Sequence, residues 1–293
     1  MEKESFFSKL FSCCIPEQDQ TEGNTNLNLH TTERAKATPV QREEPEMTEK
    51  PEEKKEQPTN DFMETSVDPQ LFPKKYIRPD EESTITFTKQ GILSFIDILK
   101  GLSYEEILNK DGLVLSLRKE GSPLKSDVML THSTYSLPKK SFEKAPTLEQ
   151  YVKCAFDVDE RKKWDDSLQL LETLEKFDSG AMLIHGMSKR QMMVISEREN
   201  YEKRYSFIQD GVYYQFGSSV PDELYPITDQ AVRVTLYLNI LMIKEDEENF
   251  YFDAYGQVDI KMNMPVSMLK TAMPKRMKDM NGKIIKAVNE MLK

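Results

Sequence analysis

Apolar positions divide the chain into three regimes. Within residues 1–15, Phe6, Phe7, Leu10 and Phe11 fall on one face at helical spacing, with Lys3 and Lys9 nearby. From Pro16 to about Asp80 large apolar side chains become scarce, and Pro39, Pro45, Pro51 and Pro58 interrupt a Glu/Lys-rich tract. Such a segment cannot bury enough surface to offset the entropy of ordering it. Residues 16–80 are therefore expected to form a disordered acidic linker. Regular periodicity begins near Ser83, and residues 85–293 read as one folded domain.

The first periodic stretch, 89–109, predicts a helix with Ile92, Phe95, Ile96 and Leu99 on one stripe and Gly101 as an interruption. Asp111-Gly112 turns the chain into a strand at 113–118, and Gly121-Ser122-Pro123 into another at 127–135. Thr147, with Gln150 three residues later, has the form of a capping box and opens a helix that ends before Trp164. Strands are then expected at 168–177, 181–188, 191–196, 201–208, 212–220, 231–243 and 249–262. Asp178-Ser179-Gly180 and Gln209-Asp210-Gly211 supply hairpin turns, because glycine tolerates positive φ. In the last strand Phe250, Phe252 and Ala254 alternate with Tyr251, Asp253 and Tyr255, the period of a half-buried antiparallel strand. From Pro265 onward Val266, Leu269, Met273, Met277, Met280, Ile284, Val288 and Met291 recur every three or four residues. That predicts a helix to the C-terminus, kinked or broken at Pro274. The element order predicts an α+β architecture in which a long antiparallel sheet grips one amphipathic helix.

Composition narrows the class. A formal net charge of −10 argues against broad nucleic-acid binding, which needs a basic face to neutralise phosphates. The three cysteines, Cys13, Cys14 and Cys154, cannot form a disulfide framework, which suits a reducing compartment. No apolar run approaches the ~18 residues of a membrane span. His30, His132 and His185 are too scattered to suggest a metal site. Neither Gly-x-Ser-x-Gly nor a phosphate-cradling Gly-rich loop is present, so the chain is not expected to be an enzyme and no cofactor is implied.

Arg161-Lys162-Lys163-Trp164-Asp165 gives the reading a family. It resembles the Arg-x-x-Trp-Asp hallmark of the START lipid-transfer domains, in particular their phosphatidylcholine-transfer-like branch. Ser196-Glu197-Arg198-Glu199, Gly217-Ser218-Ser219-Val220, Val232-Arg233-Val234 and the stretch from Tyr255 to Pro265 resemble later segments of the family in order and spacing. The resemblance implies a helix-grip fold: a long curved antiparallel sheet around a lipid tunnel, with the C-terminal helix as lid. In the branch it points to, the arginine matching Arg161 reaches the lipid phosphate, a role that suits a two-pronged guanidinium. Arg198 and Arg233 lie in strands otherwise rich in apolar residues and call for a partner among Glu199, Asp253 and Asp259. The family often keeps such a buried charged pair in its tunnel to meet a polar headgroup, the alternative being a salt bridge on the strand surface. Tyr237 is the aromatic residue among the positions aligned with a choline cage. Met273 and Met277 on the lid suit a hydrocarbon chain of variable shape, though they serve equally as core filler.

Cys13 and Cys14 beside the phenylalanine-rich N-terminus are expected S-acylation sites, making 1–15 an anchor; Glu2 excludes N-myristoylation. The linker would then be a tether spanning roughly 45 Å. Asp61-Phe62-Met63-Glu64-Thr65 faintly resembles the motif bound by endoplasmic-reticulum receptors of the VAP type. The expectation is a cytoplasmic protein held on the cytosolic face of a membrane. It would bind a lipid, a phospholipid ahead of a sterol, and transfer or present it. A lipid-sensing regulatory module that transfers nothing is the alternative.

Overall fold

The computed structural model describes residues 68–118, 121–124, 127–190, 196–262 and 265–293. The expected anchor, the linker as far as residue 67 and the Asp61–Thr65 motif lie outside the described residues. The linker was expected to run to residue 80, but residues 68–82 pack. Leu71, Phe72 and Tyr76 are buried, and the Leu71 amide donates to the Phe87 carbonyl at 2.7 Å. The Lys- and Glu-rich composition of this strap hid these three large apolar side chains.

A short helix α1 (Pro79–Glu82) leads into α2 (Lys89–Lys100), whose first turn is capped by the Thr88 hydroxyl accepting from the Gly91 amide at 3.1 Å. The stripe Ile92, Phe95, Ile96 and Leu99 is buried as expected. The helix ends at Lys100, not near 109, because the next residues pair instead as β1 (Glu105–Lys110) with β2 (Leu113–Arg118). Asp111 and Gly112, at φ 52° and 78°, make the hairpin turn between them. β3 (Leu130–Pro138) follows, starting and ending three residues later than expected.

Thr147 and Gln150 do form a capping box, but Asp157 splits the helix it opens. The result is α3 (Leu148–Phe156) and α4 (Val158–Trp164), the second capped by Asp157 accepting from the amides of Asp159 and Glu160. The meander then comprises β4 (Leu168–Lys176), β5 (Met182–Ser188), β6 (Arg198–Gln209), β7 (Val212–Ser219), β8 (Val232–Arg233), β9 (Thr235–Glu245) and β10 (Asn249–Asp259). Of the strand expected at 191–196, all but Ser196 lies outside the described residues, and Ser196 is not in a strand. The strand expected at 231–243 is two, because β8 pairs in parallel with β6 before β9 joins β7 and β10. The terminal helix α5 (Val266–Met291) runs on through Pro274, so of the kink or break expected there the break does not occur.

The strands form one sheet in the order β1-β2-β3-β10-β9-β7-β6-β5-β4, with β8 attached to β6. Both faces are covered. On the outer face the strap and α2 pack on Phe216, Leu238, Ile240, Met242 and Tyr255. On the inner face α3 and the last turns of α5 enclose Tyr213, Ile243, Phe250 and Phe252. The first turns of α5 rest on Leu115 and Leu117 of β2, and α4 covers Leu168, Leu171 and Ile184. No helix among the described residues is long and apolar enough to cross a membrane.

Candidate functional site

Between these apolar clusters the inner face is polar. Side chains alternate across a strand, so Glu202 and Arg204 of β6 share the face of Tyr213 and Gln215 of β7. Arg204 holds Glu202 through two hydrogen bonds of 2.9 and 3.0 Å, and the Tyr213 hydroxyl donates to Gln215 Oε1 at 3.1 Å. From α4, Arg161 Nε donates to Asp165 Oδ2 at 3.0 Å. The Ser167 amide donates to the other oxygen of Asp165 at 3.2 Å, and the Ser167 hydroxyl donates to that oxygen too. From α5, Arg276 enters on the buried stripe of Leu269, Ala272 and Ile284. Arg161, Asp165, Glu202, Arg204 and Arg276 are all at most 8% exposed.

The layer is electrostatically connected. Burial lowers the Arg161 pKa to about 10; Asp165 opposes that fall and Arg204 adds to it. Burial also holds Arg276 well below its ordinary value, with Arg161 adding to the effect. For Arg204 burial works the same way, yet Glu202 outweighs it and the net shift is upward. Burial pushes the Tyr135 and Tyr151 phenols up, and Tyr213 up to about 12. Among the described residues, then, three guanidiniums and two carboxylates meet under the terminal helix, ringed by neutral phenols.

The residues expected from the sequence do not all come here. Arg161 does. Arg198 is half-buried at the start of β6, donating to the carbonyls of Ser196 at 2.9 Å and Ile260 at 3.3 Å. It ties loops together. Arg233 finds its expected partner Glu199, at 3.0 Å, but on the outer face, where its guanidinium lies 4.6 Å from the Tyr201 ring centre. Glu199, Tyr201 and Lys203 alternate with Glu202 and Arg204, which puts Arg233 behind the sheet as seen from Arg161. Tyr237 also packs with the outer core, under the Arg78 guanidinium at 5.1 Å, beside a surface cavity of about 590 Å³. It is not part of an inner aromatic cage. Met273 packs against Leu115 and Leu117, and Met277 is half-buried. Trp164 is a core residue, its indole donating to the Cys154 carbonyl at 2.8 Å.

Sequence reasoning missed Arg276, Glu202 and Arg204. Arg276 sits four residues from both Ala272 and Met280, inside the terminal stripe, and a search for apolar periodicity alone passes over it. Glu202 and Arg204 alternate with Lys203 and Tyr205, so the strand reads as charged on both sides and therefore exposed.

Comparison with known proteins agrees with this architecture. The profile of the START domain matches residues 121–291, more than half of the chain. Human StAR-related lipid transfer protein 5 superposes with a TM-score of 0.56 at 15% identity, over 70% of this chain and 96% of that one. Human STARD10 gives 0.55 at 17% identity, over 74% and 84%. A search of curated protein sequences returned no match. At such identities the structural likeness establishes the fold, the helix-grip arrangement of a long antiparallel sheet and a C-terminal helix.

Proposed function

Because the chain belongs to the START domain family, whose members bind and transfer lipids, we propose that it takes up one phospholipid between the inner face of the sheet and α5, and carries or presents it unchanged. The observation that supports this reading is the buried layer of Arg161, Arg204 and Arg276 among apolar walls. Asp165 pairs with Arg161 and Glu202 with Arg204 there, which keeps the guanidiniums ionised in a low-dielectric place where a phosphate is bound strongly. A phosphate with two acyl chains matches both the guanidiniums and the walls. Arg161 is the principal phosphate contact in this reading. Arg198, Arg233 and Tyr237 hold loops and the outer layer instead.

Native mass spectrometry of the protein purified from cells tests the proposal, with co-purifying phospholipid expected. Arg161→Lys keeps a positive charge for Asp165 but loses the fork, and should lower phospholipid occupancy about tenfold or more. Unchanged occupancy in that variant would remove Arg161 from the site. We propose further that Cys13 and Cys14 are S-acylated and fix the protein to a membrane. The variant with both changed to serine should leave the membrane fraction, and its persistence there would refute the anchor.

A further inference from the structure

Tyr151 carries a hydroxyl that its packing does not use. The residue lies on α3, 0% exposed, its ring centre 4.8 Å from that of Phe250, 5.7 Å from Phe252, 6.3 Å from Phe142 and 6.5 Å from Phe156. Ile284, Ala287 and Val288 of α5 close the same cluster. The Tyr151 hydroxyl meets no hydrogen-bond partner among the described residues. Neighbouring polar tips do find one: the Tyr213 hydroxyl donates to Gln215 and the Trp164 indole to the Cys154 carbonyl. Buried tyrosines ordinarily have such a partner, and an unpaired buried donor is destabilising. Burial pushes the Tyr151 phenol well above its ordinary pKa, so the group stays neutral and able to donate.

The place of that hydroxyl indicates what it meets, and the step rests on the phospholipid reading above. Phe156, beside Tyr151, stacks at 5.8 Å on Tyr213, which shares the inner face with Glu202 and Arg204. Tyr151 therefore stands where the polar part of that face gives way to apolar wall. A phospholipid makes the same change at its acyl esters, whose carbonyls are uncharged acceptors between phosphate and hydrocarbon. A phosphate set among four phenyl rings would lack a counter-charge, whereas a carbonyl needs only one donor. We propose that Tyr151 donates a hydrogen bond to an acyl-ester carbonyl of the bound phospholipid and so selects ester-linked over ether-linked chains. The carbonyl reaches it as α5 yields to the entering lipid, since Ile284, Ala287 and Val288 cover this cluster. The donor is then unpaired in the lipid-free state and paired in the loaded one, a difference that favours the loaded state.

The test uses the full chain, freed of lipid, with vesicles holding a diacyl phospholipid, its dialkyl ether analogue of matched chains and headgroup, or equal parts of both. It is run once with phosphatidylcholine and once with phosphatidic acid. Bound lipid is quantified by mass spectrometry, and melting temperature is measured before loading. The wild type should take the ester form about fivefold or more over the ether form. Tyr151→Phe should bind the ester form about fivefold more weakly and the ether form as before, and so show no preference. Without lipid the same variant should melt no lower than the wild type, because an unpaired donor has gone. Arg161→Lys should lose both forms alike and keep the preference. Equal binding of the two forms by the wild type, or an ester preference that survives in Tyr151→Phe, overturns the carbonyl contact and leaves the phospholipid reading standing. A lipid-free Tyr151→Phe that melts several degrees lower overturns the contact too, since the hydroxyl would then have a partner in the empty protein. If neither form of either lipid binds, both fall.

Discussion

The strap is joined to the sheet by a fully buried ion pair, and its removal has a calculable cost. Lys203 Nζ lies 2.7 Å from Glu81 Oε2, and neither side chain has any solvent exposure. Lys203 also donates to the Ser219 carbonyl at 3.1 Å, while Glu81 accepts from the Arg78 amide at 3.0 Å. Glu81→Gln keeps the shape but leaves a buried ammonium without its anion, which costs about 3–5 kcal/mol. For a body of this size that lowers Tm by roughly 10 °C or more. Replacing both partners, Glu81→Gln with Lys203→Met, removes the buried ammonium together with its anion and should recover much of the loss, Arg78, which also lies 3.2 Å from Glu81 Oε1, keeping Asp80 at 3.0 Å. Urea denaturation of the wild type, both single variants and the double variant gives the coupling directly.

The pH dependence has a fixed sign. Burial lowers the Lys203 pKa from 10.5 to about 8 despite Glu81. The unfolded chain therefore holds this proton more tightly than the folded one. The burden of the buried charge is full below pH 8 and is shed as pH rises from 8 to 10.5, so wild-type stability should rise relative to the double variant across that window. Single variants within about 1 kcal/mol of wild type, or a double variant as unstable as the sum of the singles, would refute the reasoning.

Three further outcomes are expected. Gly91→Ala would set a Cβ inside van der Waals contact with the Thr86 carbonyl, and backbone cannot step aside; urea denaturation should show a loss of about 2 kcal/mol or more despite alanine's better helix propensity. Gly217→Ala would press on the Glu202 carboxylate that Arg204 holds; lipid co-purifying with the variant should fall several-fold while its melting temperature changes by a few degrees at most. Cys154 is buried and its thiol is pushed up to about 11, chiefly by burial; alkylation monitored by mass should be slow at pH 8 and become fast in urea.

Local chemistry made much of the fold legible. The capping box at Thr147, the turns at Asp111-Gly112 and Asp210-Gly211 and the alternation of Phe250 and Phe252 are all present in the structure. Each rests on residues within a few positions of one another. What was not legible depends on distant partners. β1 shows no apolar alternation and continues the α2 pattern in sequence; it is a strand only because β2 lies beside it. The strap looks like linker until Phe72 meets Phe87, Phe177 and Phe216. At the site, the Arg-x-x-Trp-Asp run pointed to Arg161, since a fixed spacing marks it. Arg276 has no such marker, and Arg233 and Tyr237 lie on the face of the sheet that residue type cannot reveal.

Strand β6 joins these observations. It presents Glu199, Tyr201 and Lys203 outward and Asn200, Glu202 and Arg204 inward. Each of its buried charges has a counter-charge in place: Arg233 for Glu199, Glu81 for Lys203, and Glu202 and Arg204 for each other. An apolar strand between two cores could slip by a residue at modest cost. Here a one-residue slip would exchange the faces, carrying Lys203 toward Arg161 and Arg276 and leaving Glu81 opposite Glu202. Like charges would then face one another on both sides of the sheet, in low dielectric, where such contacts are most costly. The ionic residues that make this strand expensive to bury also leave it one register, and that register sets the strap on the outside and the guanidinium layer on the inside.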